Sequence, residues 1–250
     1  MNFNGKWICD PRFSGLMPLN LYHKEHEPIG KHMPALKELK NVHMLVRKTF
    51  VMPAFRPCTL RIAADDYYKL YINGRFVAKG AANGYHFQYY YNELDVSAFL
   101  HEGENTIAVE VYYPGLVNRV WNSGDLRQGM VADLISDGEI LLRTDGTWKY
   151  TNSRAYTSQE TIGYQTQFVE DYDSNLEETN WRECGFDDTE WDACAVRETD
   201  YTFCDKPVPV VSVYPLKPVI IKKSEDGRLF YDFGHELVGM LRITARGKKG

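Results

Sequence analysis

Two pairs of adjacent carboxylates are the first candidates for chemistry in this sequence. Asp65 and Asp66 form one pair, and Asp187 and Asp188 form the other. Two carboxyl groups that flank one bond can serve as general acid and general base. Adjacent strand residues, however, point to opposite faces of a sheet and do not converge on one bond. We therefore interpret Asp65 and Asp66 as residues that end a strand and accept turn hydrogen bonds, and we predict no catalytic residue.

A strongly acidic segment follows later in the chain. Its carboxylates are Glu170, Asp171, Asp173, Glu177, Glu178, Glu183, Asp187, Asp188, Glu190 and Asp192. Calcium takes six to eight oxygen ligands, but the spacing is not that of an EF-hand, so we favour a solvated acidic face over a calcium site. Trp181 and Trp191 could stack on sugars, yet their setting beside Phe186 favours packing in a core.

Histidines are the next candidates, because His23, His26 and His32 lie near Glu25 and Glu27. Histidine and carboxylate side chains can ligate zinc, but this spacing fits no named site. Phosphate-binding glycine loops and a nucleophile elbow are missing from the sequence. We predict no metal and no cofactor.

The segment from Tyr112 to Met130 is a long loop that fits no helix or strand period, and it is the best candidate for a binding surface. Its candidate residues are Tyr112, Tyr113, Arg119, Trp121, Asn122, Asp125 and Arg127. Aromatic planes beside bidentate polar groups suit carbohydrate binding. The same residue types are enriched at interface hot spots. Three interpretations remain open: docking of another domain or of a second copy of the chain, which we favour, sugar contact, and local packing.

Composition excludes several classes of protein. The chain has 250 residues, 44% of them hydrophobic, and a net charge of −5. It can build a core, shows no basic patch for nucleic acid, and has no apolar stretch long enough to span a membrane. Neither a nucleic acid nor a membrane is therefore an expected partner. Five cysteines without a C-x-x-C pair, and no visible secretory signal, predict free thiols and a cytoplasmic location.

Strand patterns joined by short turns predict an all-β fold, a jelly roll or β-sandwich. Asn73-Gly74 predicts a type I′ hairpin turn, and Asp137-Gly138 predicts another turn. The predicted strands are 41–52, 59–64, 68–72, 75–80, 106–113, 129–136, 139–145, 147–151 and 161–173.

The domain organisation follows from the same patterns. Residues 1–40 are proline-rich and predicted to be irregular. Residues 41–205 form the predicted β-sandwich. Residues 206–250 are a proline-rich linker and the incomplete start of a second β domain, so the chain looks cut.

Several stretches, in this order, resemble the N-terminal β region of a bacterial α-L-rhamnosidase. They are KLYINGRFVAKG (69–80), YNELDVSAFLHEGENTIAV (91–109), WNSGDLRQGMVADL (121–134), GYQTQFVEDYDSNLEETNW (163–181), FDDTEWDACAV (186–196) and YDFGHELVGMLRI (231–243). Asn175 and His235 depart from the family pattern, which often has arginine and glutamine there.

The resemblance implies an accessory, non-catalytic region of an inverting glycoside hydrolase that releases terminal L-rhamnose. In that family an (α/α)6 barrel follows the β domains and carries the two catalytic carboxylates. The implied partners are this barrel and, through the parent enzyme, a rhamnose-containing glycoside. The chain alone should then be inactive. The alternatives are a stand-alone carbohydrate-binding module and the sandwich portion of a β-galactosidase-like enzyme.

Overall fold

The computed structural model describes residues 2–21, 38–82, 84–117, 123–158, 160–163, 166–244 and 246. Its contacts divide the chain into two compact units, 1–211 and 212–250. None of the helices in these ranges is both long and apolar enough to cross a membrane.

The regular secondary structure described in the first unit consists almost entirely of strands. They are β1 (Trp7–Cys9), β2 (Val42–Met52), β3 (Thr59–Asp65), β4 (Tyr67–Ile72), β5 (Arg75–Gly80), β6 (Tyr89–Asp95), β7 (Gly103–Tyr113), β8 (Gly129–Ser136), β9 (Glu139–Arg143), β10 (Lys149–Asn152), β11 (Thr161–Ile162), β12 (Gln167–Phe168), β13 (Asp192–Ala193), β14 (Ala195–Arg197) and β15 (Phe203–Asp205). The helical elements of the described residues include α1 (Pro11–Ser14) and the 3-10 turns Ser97–Phe99 and Ser174–Leu176.

Two sheets face each other as a sandwich, as predicted. The first sheet has the order β14-β1-β8-β3-β6-β15, with β9 also paired to β8, and the second has the order β13-β10-β2-β7-β4-β5. Pairing is antiparallel throughout both sheets except between β15 and β6, which run parallel.

The core lies between the sheets, because alternate residues of each strand point inward. The first sheet contributes Ile8, Leu60, Ile62 and Met130, and the second contributes Met44, Val46, Leu70 and Val109. These side chains are at most 1% exposed. The all-β sandwich prediction is confirmed.

Both predicted hairpin turns are present. Asn73 and Gly74 have φ angles of 50° and 76°, which is the pair of positive values that a type I′ turn requires. Asp137 and Gly138 have φ angles of 48° and 80° and join β8 to β9 in the same way.

Residues 2–21, the described stretch at the N-terminus, are more regular than the prolines of this segment predict. Strand β1 is fully buried and pairs with β14 and β8. Pro11 occupies the first turn of α1, where a missing N–H costs nothing. Gly129 makes room for β1, because a Cβ there would lie 2.4 Å from the carbonyl oxygen of Ile8.

The predicted strand over 161–173 is wrong in detail. The structure has the short strands β11 and β12, which pair with each other. Gly163, with φ +59°, turns the chain after β11. A single pattern of alternation cannot reveal such a turn when its glycine also fits an extended strand.

The acidic segment packs on the outer face of the second sheet. Trp181 and Trp191 are 0% and 7% exposed and contact Leu45 and Ala108, which confirms that they are core residues. Arg47, 1% exposed, lies beneath the segment and forms the hydrogen bonds that hold it. It donates to the backbone oxygens of Trp181 (3.0 Å) and Glu183 (3.0 Å) and to the carboxylate of Asp188.

The second unit, 212–250, contains one hairpin, β16 (Ile220–Lys223) with β17 (Leu229–Asp232). Most of its described residues are exposed, including Val238, Met240 and Leu241. Residues 206–219 contain no strand.

Candidate functional site

The structure describes four of the seven candidate residues of the 112–130 loop, namely Tyr112, Tyr113, Asp125 and Arg127. Arg119, Trp121 and Asn122 lie outside the described residues. Tyr112 and Tyr113 end strand β7 and, as neighbours in a strand, point to opposite faces. Tyr113 is 1% exposed, packs against Phe13, and accepts a 2.9 Å hydrogen bond from the Leu126 N–H on its hydroxyl.

Arg127 is also buried, with 3% exposure. Its guanidinium donates to Asp200 at 2.9 and 2.6 Å, to Asp125 at 3.0 Å and to the Leu19 carbonyl oxygen at 2.6 Å. These contacts connect the loop to the N-terminal segment and to the segment before β15. For Tyr113, Asp125 and Arg127 the structure therefore shows local packing contacts, and docking or sugar contact at Arg119, Trp121 and Asn122 stays a prediction.

The Asp65–Asp66 pair lies next to this network. Asp65 ends β3 as predicted, but its carboxyl accepts hydrogen bonds from the hydroxyls of Tyr201 (2.6 Å) and Tyr89 (3.1 Å) instead of from turn amides. Burial raises the pKa of Asp65 well above its ordinary value, and the charge of Asp66 adds to the effect. Both aspartates are at most 3% exposed.

Clusters of metal-ligating side chains are the next candidates. No group of three or more His, Cys, Asp or Glu side chains within the described ranges is arranged to hold a metal ion. The histidines considered as zinc ligands and set aside, His23, His26 and His32 with Glu25 and Glu27, lie outside those ranges.

Tyr112 lines a cleft of about 710 Å3 over the outer face of the second sheet. We call it the aromatic cleft. Strand register builds its floor in two rows. In the first row Tyr112 stands directly opposite His43 on β2 and Tyr67 on β4. In the second row Glu110 stands opposite Lys69, and Lys69 stands opposite Lys79 on β5.

The first row is a stack of aromatic rings. The His43 ring lies between Tyr156, at a centroid distance of 3.6 Å, and Tyr112, at 4.2 Å. Tyr67 follows at 6.2 Å from Tyr112, with nearly parallel planes. Exposure increases from His43 outward, from 9% for His43 to 39% for Tyr67. The row therefore presents an accessible aromatic surface at its Tyr67 end.

Two walls enclose this floor. One contains Ile162, Phe168 and Glu170 from the β11–β12 hairpin and the residues after it. The other contains the chain after Gly80 and residues 206–211. Gly80 lets this part of the chain lie close to Asn92 of β6, since a Cβ at Gly80 would lie 2.3 Å from the Asn92 amide nitrogen.

The second row carries charge at the bottom of the cleft. Glu110 is 5% exposed and forms a 3.0 Å hydrogen bond with Nδ1 of His43 and a 3.1 Å ion pair with Nζ of Lys69. Burial alone would raise the pKa of Glu110, but the His43 hydrogen bond and the Lys69 charge outweigh it and lower the pKa to about 2. Burial lowers the pKa of His43, so a neutral imidazole donates its Nδ1–H to Glu110.

This arrangement suits binding better than proton transfer. An effective general acid or base has a pKa near the working pH, whereas Glu110 stays ionised from pH 3 upward. An ionised carboxylate beside aromatic faces offers what a saccharide requires, namely acceptors for hydroxyl groups and an apolar surface for C–H groups.

Sequence reasoning missed His43, Tyr67, Lys69, Glu110 and Tyr156. The available signal was their alternation with apolar residues, as in Tyr67, Lys69 and Tyr71 of β4. This alternation identifies a face of the strand, but the register that brings β2, β7 and β4 side by side is not written in any local pattern.

Comparisons with known proteins agree on one region. A sequence-family model described as "Alpha-L-rhamnosidase N-terminal domain" matches residues 54–215. A search of curated proteins returned no match.

Three solved structures share the fold. The GH78 family rhamnosidase of Bacillus sp. GL1 matches 89% of this chain with a TM-score of 0.67 and 23% identity. The α-L-rhamnosidase from Dictyoglumus thermophilum matches 93% with a TM-score of 0.60 and 20% identity. The α-L-rhamnosidase from Aspergillus terreus matches 94% with a TM-score of 0.59 and 22% identity. The chain spans 22%, 26% and 26% of these three proteins, respectively.

Proposed function

Because this chain belongs to the family of α-L-rhamnosidase N-terminal domains, we propose that it is the accessory, non-catalytic β region of an α-L-rhamnosidase-like glycoside hydrolase. In this proposal the parent enzyme hydrolyses terminal L-rhamnose from glycosides, and a catalytic domain beyond these residues performs the reaction. The chain itself contacts the saccharide.

The aromatic cleft is the observation that carries this proposal. Its floor combines the exposed ring of Tyr67 and the half-buried ring of Tyr112 with the ionised carboxylate of Glu110. Aromatic rings contribute large contact areas, and charged acceptors form hydrogen bonds stronger than neutral ones. A carboxylate held ionised by two donors does not protonate a leaving group, so the cleft fits binding without hydrolysis.

The loop around Arg119, Trp121 and Asn122 remains, in this proposal, the surface that docks the catalytic domain or a second copy of the chain. Trp and Arg are enriched at interface hot spots, which supports this assignment. We also propose a reducing, cytoplasmic location, since Cys9, Cys58, Cys184, Cys194 and Cys204 are all free thiols.

The test compares two proteins made from one gene: the product of the complete reading frame and the 250 residues alone. Each is assayed with p-nitrophenyl α-L-rhamnopyranoside and with p-nitrophenyl β-D-galactopyranoside. We expect the complete product to hydrolyse the rhamnoside and the 250 residues to hydrolyse neither substrate.

The other results would point elsewhere. Release of p-nitrophenol by the 250 residues, abolished by Asp65→Asn, would overturn the non-catalytic role. Activity of the complete product on the galactoside alone would favour a β-galactosidase-like parent. A complete product without any hydrolytic domain would favour a stand-alone carbohydrate-binding module.

A further inference from the structure

The charges of the aromatic cleft are separated in space. Lys69 on β4 and Lys79 on β5 stand directly opposite each other, and Lys206 lines the same cleft. Like charges directly opposite each other in neighbouring strands destabilise a sheet. The cleft therefore concentrates positive charge at its β4–β5 edge.

Only part of this charge is compensated within the protein. Glu110 pairs with Lys69 at 3.1 Å. Lys206 donates a 2.8 Å hydrogen bond to the carbonyl oxygen of Pro209, which is an uncharged acceptor. Lys79 is exposed, and within the described part of the chain no carboxylate forms an ion pair with it. The lysine edge thus has unused capacity to bind an anion.

The opposite side of the cleft carries negative charge. Glu170 is exposed there, and its negative charge acts on His43, Tyr112 and Tyr156 of the aromatic stack. Asp171 beside it is already engaged by the hydroxyl of Thr157 at 2.8 Å. Among the described carboxylates of this side, Glu170 is therefore the one available to accept hydrogen bonds from hydroxyl groups of a ligand.

We propose that the aromatic cleft binds an acidic saccharide, with a uronic acid carboxylate against Lys79 and Lys69 and neighbouring hydroxyl groups toward Glu110 and Glu170. The sugar ring packs against Tyr67, which is 39% exposed. This rests on the proposed function, because it names the class of saccharide that the accessory region recognises. A neutral saccharide would satisfy the aromatic floor but leave the lysine edge without a partner.

A matched pair of ligands tests the proposal: a disaccharide of a uronic acid linked to L-rhamnose, and the same disaccharide after its carboxyl group is reduced to an alcohol. Both are titrated into the 250-residue chain by calorimetry at low salt. We expect the acidic form to bind roughly tenfold more tightly, since one charge-assisted contact at a half-exposed site changes affinity by about that factor. Lys79→Gln should abolish the preference. Lys222→Gln, at an exposed lysine of β16, should leave it intact.

The outcomes distinguish the preference for an acidic ligand from saccharide binding in the cleft. Equal binding of the two disaccharides, or a preference that survives Lys79→Gln, would overturn the acidic ligand and leave saccharide binding standing. Binding of neither disaccharide at millimolar concentration would overturn both the acidic ligand and the cleft as a saccharide site. A preference that weakens as sodium chloride is raised from about 0.02 to 0.5 M would support the ionic contact.

Discussion

Glu110 is the residue that decides the character of the cleft. It is a buried carboxylate with two donors, the imidazole of His43 and the ammonium group of Lys69. Each donor stabilises the ionised form, so the carboxylate stays an acceptor and does not become an acid. Asp65, one of the paired aspartates that first attract attention in the sequence, is instead buried and accepts hydrogen bonds from the hydroxyls of Tyr89 and Tyr201.

The pH dependence of stability should reveal this charge. The pKa of Glu110 is lowered from 4.5 to about 2 by folding, so its contribution is complete above pH 4.5 and is lost as the pH falls toward 2. We expect Glu110→Gln to cost on the order of 3 kcal/mol of unfolding free energy at pH 6 and much less at pH 2.5. Urea unfolding monitored by tryptophan fluorescence measures both values.

The exposed Glu190 provides the control. Glu190→Gln should change the unfolding free energy by less than about 0.5 kcal/mol. A cost of Glu110→Gln that stays the same from pH 6 to pH 2.5 would mean that the carboxylate is not held ionised by the fold.

Arg127 should behave as a structural residue. It is buried and donates to Asp125 and Asp200, and its removal leaves the Asp125 carboxylate, whose side chain is only 17% exposed, without its cationic partner. We expect Arg127→Ala to lower the unfolding free energy by about 3 kcal/mol or more. Arg154→Ala, at a side chain that is 76% exposed, should change it by less than about 0.5 kcal/mol. If both variants changed the unfolding free energy by the same small amount, the buried contacts of Arg127, which is 3% exposed, would not contribute to stability.

At the scale of elements, the acidic segment acts as a cover for part of the second sheet. Trp181 and Trp191 bury apolar surface over β2 and β7, and Arg47 hydrogen-bonds the backbone of the segment. The cleft is the part of the same face that this cover leaves open. The position of the segment therefore determines where the cleft lies.

We expect Trp181→Ala to lower the unfolding free energy strongly. A fully buried tryptophan replaced by alanine costs about 3–5 kcal/mol, and the loss should also loosen the segment. We expect a lower midpoint in urea and faster amide exchange over residues 170–190, measured by hydrogen exchange and mass spectrometry. Leu176→Ala, at a residue that is 39% exposed, should alter neither. Unchanged exchange in Trp181→Ala would contradict the role of this residue in holding the segment.

Local patterns account for much of the fold and little of the site. The Asn73-Gly74 and Asp137-Gly138 turns could be predicted because their chemistry requires positive φ values. Strand β1 could not, since three residues between irregular segments carry no periodicity. The cleft could not either, because its two rows join residues of β2, β4, β5 and β7 whose register depends on the whole sandwich.

At the scale of the whole molecule, the chain consists of a packed unit and a much less buried one. The hairpin of β16 and β17 pairs only with itself among the described strands, and its residues are mostly exposed. Segments with few buried contacts open at low free-energy cost. We expect limited proteolysis to cut first within residues 206–218 and to leave a resistant fragment of about the first two hundred residues. Amide exchange that is equally slow on both sides of this stretch would contradict the expectation.

We propose that this chain holds saccharide for an α-L-rhamnosidase-like enzyme and performs no chemistry itself. The most direct test measures kcat/KM of the complete enzyme and its Tyr67→Ala variant on two substrates, p-nitrophenyl α-L-rhamnopyranoside and a rhamnose-containing polysaccharide. Tyr67 is 39% exposed, so the variant should fold normally. We predict unchanged kcat/KM on the aryl glycoside and a several-fold decrease on the polysaccharide, because only the long substrate reaches the cleft. An equal decrease on both substrates, or no decrease on either, would contradict the account.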